Sequence, residues 1–136
     1  MSRVHLKILL SMKTITQSHF VSATPEEVYL ALTNPLTIEL WSGYPADMQP
    51  VEGSEFALFE GDISGMNIAL IPNRKVVQEW YFGDGPEKSI VTISLRPGDG
   101  GTHVDLEHTN IPDTEVENMA EGWKSYYWGA IKKYFR

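Results

Sequence analysis

Apolar positions recur with two different periods along this chain. From Val116 to Tyr134 they fall at i, i+3, i+4 and i+7. Val116, Met119, Ala120, Trp123, Tyr127, Ala130, Ile131 and Tyr134 therefore share one side of a 3.6-residue repeat. The spacing predicts one long C-terminal helix, about 33 Å in length at ~1.5 Å per residue. Asp113 or Thr114 supplies its N-cap, Glu115 and Glu117 stand in the first turn, and Lys132, Lys133 and Arg136 stand in the last. Those charges complement the helix dipole at both ends. Gly122 is the weak link, costing roughly 1 kcal/mol relative to Ala, and marks a bend or a close packing point.

Upstream, the dominant period is two. Strands are predicted over Lys13–Val21, Glu55–Glu60, Asp62–Ile71, Lys75–Phe82, Lys88–Arg96 and Thr102–Asn110. On the fourth of these Val76, Gln78, Trp80 and Phe82 share a face; on the fifth Ser89, Val91, Ile93 and Leu95 do. The last five are separated by short breaks such as Gly61-Asp62, Pro72-Asn73, Gly83-Asp84-Gly85-Pro86 and Pro97–Gly101. Links that short join antiparallel neighbours. After the first strand, Thr24-Pro25-Glu26-Glu27 has an N-cap, a proline at the first helical position and the reciprocal Glu of a capping box. That helix runs to about Thr33, where Asn34-Pro35 stops it; a second spans Leu36 to about Leu40, with Trp41 at its end. The order implies an α+β fold: a curved six-stranded antiparallel sheet wrapped around the long C-terminal helix, with two short helices after the first strand. A helix laid across a strongly curved sheet leaves room for a cavity between them.

The 136 residues, 42% hydrophobic and 21% charged, suffice for one core. We assign residues 13–136 to a single domain and residues 1–12 to a loose N-terminal extension; Met12 is a second candidate start. The absence of cysteine excludes disulfides, thiolate catalysis and cysteine metal sites. The net charge is −7, and no Lys or Arg occurs between Thr14 and Asn73, against eight acids. A nucleic-acid backbone needs a basic track, so that partner class is set aside. Ile8-Leu9-Leu10 is too short for a secretory core, and no run approaches the ~20 apolar residues of a membrane span. A soluble, cytoplasmic protein is expected.

Candidate chemistry is sparse. His103, Asp105 and Glu107 alternate along one strand and read as a solvated face rather than a metal site. His108 has the opposite parity, pointing inward near Asn110, and reads as a hydrogen-bonded core histidine. No Gly-x-Ser-x-Gly elbow, paired helical histidine or phosphate-binding lysine loop occurs, and Glu39, Asp47 and Glu79 have no spacing that marks a general base. No catalytic residue, metal or cofactor is assigned, and a non-enzymatic role is favoured. The aromatics are more telling. Trp123, Tyr126, Tyr127, Trp128, Tyr134 and Phe135 crowd into thirteen residues. Trp41, Phe56, Leu58, Trp80, Phe82, Val91, Ile93, Trp123 and Tyr127 are the expected lining of a ligand cavity. Water or a polar-tipped ligand would satisfy the ring donors. The Gly- and Pro-rich segment from Trp41 to Gly53 is the candidate lid.

Several segments also resemble a known family. They are Ser22-Ala23-Thr24-Pro25-Glu26-Glu27-Val28-Tyr29, Glu60-Gly61-Asp62-Ile63-Ser64-Gly65, Val76-Val77-Gln78-Glu79-Trp80, Asn110-Ile111-Pro112 and Glu121-Gly122-Trp123-Lys124-Ser125-Tyr126-Tyr127. In order and spacing they are similar to the C-terminal domain of the activators of the heat-shock protein 90 ATPase. That domain belongs to the START and birch-allergen-like helix-grip superfamily (SRPBCC), and the likeness covers about Lys13 to Phe135. It implies the helix-grip fold and a chaperone-related, stress-response setting. Eukaryotic activators of this kind also carry a separate N-terminal domain that this chain has no room for. Three functional readings follow: a binder of a small, mostly hydrophobic ligand in the cavity; an interaction partner of a heat-shock protein 90 type chaperone; and an enzyme acting on a hydrophobic substrate in the cavity.

Overall fold

The computed structural model describes residues 12–81 and 88–136. Strand β1 (Met12–Val21) is followed by helices α1 (Pro25–Thr33) and α2 (Pro35–Ser42). Then come β2 (Glu55–Leu58), a single tight turn at Phe59–Gly61, β3 (Ile63–Ile71), β4 (Lys75–Trp80), β5 (Ser89–Gly98) and β6 (Gly101–Pro112). The chain ends in a helix of three parts: α3 (Val116–Gly122), a π-helical turn (Trp123–Trp128) and α4 (Gly129–Tyr134). The expected α+β architecture is therefore present, with one curved antiparallel sheet ordered β1-β6-β5-β4-β3-β2. Phe82 and the turn Gly83-Asp84-Gly85-Pro86 lie outside the described residues, as do residues 1–11.

The two short helices solve a topological problem. β1 and β2 are consecutive strands on opposite edges of the sheet. Crossing six strands at ~4.8 Å spacing needs about 24 Å, and the chain makes that crossing through α1, α2 and the segment that joins α2 to β2. α1 starts on the anticipated capping box: the Glu27 amide donates to Thr24 Oγ1 at 3.2 Å and the Thr24 amide donates to Glu27 Oε1 at 2.9 Å. Its inner face buries Val28, Ala31 and Leu32. Asn34 ends α1 and caps α2, accepting from the Thr37 amide at 3.0 Å. Trp41 closes α2 by donating Nε1–H to the Ala31 carbonyl at 2.8 Å, one of the acceptors a helix end leaves over.

The sheet follows the period-two pattern, corrected by two bulges. Val76, Gln78 and Trp80 face inward on β4, and Ser89, Val91, Ile93 and Leu95 do so on β5. On β6 the inward series Thr102, Val104, Leu106, His108 resumes at Ile111 rather than at Asn110. The cause is an extra residue in β6 opposite Lys13 and Ile15, with Asn110 at φ 60° and its side-chain amide donating to the Lys88 carbonyl at 2.8 Å. A bulge of this kind resets which face later side chains occupy. In β3 the extra residue is Ile68, between Asn67 and Ala69.

The C-terminal helix departs from expectation in three ways. It has no side-chain N-cap: Asp113 and Thr114 lie in a turn, and Glu115 holds the cap position without a capping bond. It is not a uniform α-helix, because the six residues Trp123–Trp128 bond in the wider π register. Gly122 is neither a bend nor a packing point, having helical angles and open space where a Cβ would stand. The packing point is Gly129, whose N–H bonds the Lys124 carbonyl and whose added Cβ would lie 2.8 Å from that oxygen. The extra residue in the π turn also moves the apolar face. Trp123, Tyr127, Trp128 and Ile131 are buried, whereas Tyr134 is exposed. Trp128, which the regular repeat leaves off the core face, is fully covered.

Candidate functional site

The inner face of the helix meets the sheet through stacked rings. Trp80 of β4 and Trp123 lie 4.6 Å apart and 22° from parallel. Tyr127 tilts against Trp123 at 4.6 Å and against Trp41 at 5.1 Å. The indole N–H groups of these rings are satisfied by protein rather than by a ligand, contrary to expectation. Trp80 Nε1–H donates to Gln78 Oε1 at 2.9 Å, and Gln78 donates in turn to Asn67 Oδ1 at 3.0 Å. Asn67 then donates to the Gln49 carbonyl at 3.2 Å. This buried chain ties Trp80 to the segment that joins α2 and β2. Trp123 Nε1–H donates to His108 Nδ1 at 3.0 Å. An indole can only donate, so Nδ1 is unprotonated and Nε2 carries the proton toward Ser89 Oγ, 2.5 Å away. Burial lowers the His108 pKa to about 4. It is a neutral imidazole sealed in the core. Among the described residues, Trp128 Nε1 is the buried side-chain donor without an acceptor.

Beside this stack an open cleft of about 820 Å³ separates the C-terminal helix from the α2 end and the β2–β3 turn. Its floor is Trp80, Trp123 and Tyr127. Phe59, Ile63 and Tyr44 form one wall, and Met119, Ala130 and the strongly exposed Tyr126 form the other. Polar groups sit among them: Glu60 and Asp62 from the turn, Ser42 from α2, and Ser125 and Lys133 from the helix. Burial raises the pKa of the Tyr127 hydroxyl, so it remains a proton donor and not a base at neutral pH. A large, mainly apolar hollow with a few polar groups is the usual form of a small-molecule site.

The structure separates the residues named from sequence into two groups. Trp80, Trp123 and Tyr127 border the cleft. Trp41, Phe56, Leu58, Val91 and Ile93 are buried in the core behind it, and Phe82 is outside the described residues. Tyr44, from the candidate lid, does reach the cleft. Sequence reasoning missed Phe59, Glu60, Asp62, Ile63 and Lys133. Their signal was present in Glu60-Gly61-Asp62, a turn following a strand that ends in an aromatic. Of the acids considered as bases, Glu79 pairs with Lys88 at 4.0 Å, Asp47 bridges its backbone to Ala57, and Glu39 is exposed on α2. None borders the cleft. His103 packs edge-on against Phe20 at 5.1 Å, and Asp105 accepts from Ser18 at 3.0 Å. Among the described residues no group of three or more His, Asp or Glu is placed to hold a metal.

The family described as Activator of Hsp90 ATPase homolog 1-like protein matches residues 22–136. The Homo sapiens activator of 90 kDa heat shock protein ATPase homolog 1 is 32% identical over 123 residues, covering 89% of this chain and 36% of that protein. The Dictyostelium discoideum homologue is 29% identical, covering 90% of this chain and 33% of its own length. This chain thus spans about a third of the length of these relatives. An HSP90 activator from Plasmodium falciparum has a similar crystal structure, with TM-score 0.72 and 27% identity, covering 88% of this chain and 92% of that one. The Aha1 dimer from Colwellia psychrerythraea shares the fold at TM-score 0.79 and 21% identity, over 90% and 96% of the two chains.

Proposed function

Given that the chain belongs to the Activator of Hsp90 ATPase homolog 1-like family, we propose that its individual role is to bind a small, largely apolar molecule in the cleft beside the C-terminal helix, without covalent chemistry. The observation that carries this reading is the hollow of about 820 Å³ floored by Trp80, Trp123 and Tyr127. The three rings are themselves buried, at 4%, 2% and 3% exposure, and border the opening. The π turn strengthens the reading, since π turns recur at functional sites and this one contributes Trp123, Ser125, Tyr126 and Tyr127 to the cleft. The reading assigns no catalytic group, because His108 is neutral and sealed away from the cleft.

The test is native mass spectrometry of freshly purified protein against its denatured mass. A few hundred extra daltons that leave on denaturation support the reading. Trp80→Ala is a poor control, since removing a buried Trp costs about 3–5 kcal/mol. Gly122→Phe is better. Gly122 borders the cleft with open space at its Cβ position, so the ring fills the hollow without displacing the core. Loss of the extra mass in Gly122→Phe, at unchanged stability, locates the ligand; retention of it sinks the cleft as the site.

A second reading rests on the relatives named as activators of the 90 kDa heat shock protein ATPase. In it the exposed surface engages a chaperone of that type and the cleft is incidental. Stimulation of such a chaperone's ATPase that persists undiminished in Gly122→Phe would favour it over the first.

A further inference from the structure

The charges around the cleft point to a class of ligand, on the premise that the cleft is the ligand site. Six aromatic side chains border it: Tyr44, Phe59, Trp80, Trp123, Tyr126 and Tyr127. Two carboxylates, Glu60 and Asp62, face a single ammonium, Lys133. The ion pairs among the described residues are Lys88–Glu79 and Arg96–Asp105, so neither cleft carboxylate has a basic partner within 4.0 Å among those residues. The deficit reaches back into the sequence, where no Lys or Arg stands between Thr14 and Asn73.

The turn that presents these carboxylates is held against its own preference. Phe59, Glu60 and Gly61 adopt φ values of 51°, 55° and 92°, all left-handed. Glycine tolerates this; an aromatic residue rarely does. Packing holds Phe59 there, edge-on to Trp41 at 5.9 Å and to Tyr44 at 6.1 Å. Strained backbone persists where the surroundings over-determine it, and such places cluster at ligand clamps. Here the same packing sets the position from which Glu60 and Asp62 border the cleft.

Aromatic faces attract cations through the ring quadrupole, and unpaired carboxylates add a direct attraction. We propose that the occupant is an amphipathic organic cation, a quaternary or protonated amine on an apolar body. The apolar body rests on the Trp80, Trp123 and Tyr127 floor, and the cationic head lies among the exposed rings and the Glu60 and Asp62 carboxylates. Lys133 offers the competing possibility of an anionic amphiphile, which the same experiment separates.

The probes are octyltrimethylammonium, octyl glucoside and octyl sulfate, each below its micelle threshold. Binding is read by tryptophan fluorescence and calorimetry. The cation should bind about tenfold more tightly than the neutral glucoside, with the sulfate weakest, as expected for one cation–π contact plus exposed charge pairing. Raised salt should narrow that gap. The Glu60→Gln, Asp62→Asn double variant should close it while leaving octyl glucoside affinity unchanged. Equal or tighter binding of the glucoside or the sulfate by the unaltered protein overturns the proposal, as does a gap that survives in the double variant. Failure of all three probes to bind overturns the ligand reading itself, and this proposal with it.

Discussion

His108 is the inward, hydrogen-bonded core histidine that its strand parity suggests. Its ring accepts from Trp123 and reaches Ser89, both deep in the core. Its pKa falls from 6.5 to about 4 through burial. Above pH 6.5 neither the folded nor the unfolded imidazole holds a second proton, and stability is at its plateau. Between 6.5 and about 4 only the unfolded state binds that proton, so stability falls as the pH falls across this window, by roughly 3 kcal/mol in all. Denaturant unfolding at a series of pH values should show that decline, and His108→Gln should make it shallower. His19 adds to the effect in the same direction. Burial first, then Lys132 and Lys124, bring its pKa to about 4. Lys132 Nζ donates to its Nδ1 at 2.9 Å, and the ring lies 5.7 Å from that of Trp128. At the first helix, Thr24→Ala removes the acceptor for the Glu27 amide and should cost about 1 kcal/mol, read as a lower denaturant midpoint at unchanged slope. That cap was legible because four adjacent residues make it. The partner of His108 was not, because Trp123 lies fifteen residues away on another element.

At the scale of elements, local chemistry set the beginnings and ends of helices and strands, while long-range packing set their irregularities. Pro25 and Pro35 open their helices, and Gly61 and Gly100 turn the chain where the sequence places turns. The π turn was invisible to a search for 3.6-residue spacing, because the extra residue is accommodated by contact with the sheet rather than announced by composition. Gly122 and Gly129 flank it with opposite roles. Gly122→Ala should stabilise the protein by up to ~1 kcal/mol, since it gains helix propensity in open space. Gly129→Ala sets a methyl against the Lys124 carbonyl and should destabilise by about 1–3 kcal/mol. Paired thermal melts of the two variants check the sign of each. If both variants stabilise, the π turn does not depend on Gly129. The bulge at Asn110 makes the same point for strands. Strict alternation would turn Ile111 outward, and the bulge turns it to the core, where it is fully buried.

Taken as a whole, the molecule is a sheet whose centre is held from both sides and whose margins are not. β5 and β6 each pair with two neighbours, whereas the four-residue β2 is an edge strand. Amide exchange should therefore be slowest at Val91, Ile93, Val104 and Leu106 and fastest within the sheet at Glu55–Leu58. That contrast bears on the site, because the cleft lies between the weak β2–β3 end and the C-terminal helix. The amphipathic periods, the caps and the turn residues determined by themselves that the chain forms six antiparallel strands, two short helices and a terminal helix. Each of those signals acts over a few residues. Family membership was likewise legible, through the order of short segments. Which aromatics line an opening and which fill the core was decided only in three dimensions. Trp41 and Tyr127 occupy similar apolar positions in their helices and touch each other, yet only Tyr127 borders the cleft. Whether a buried ring borders an opening depends on what the rest of the chain places opposite it. Here that is a turn, Phe59–Gly61, held in a left-handed conformation by Trp41 of α2 and Tyr44 just beyond it.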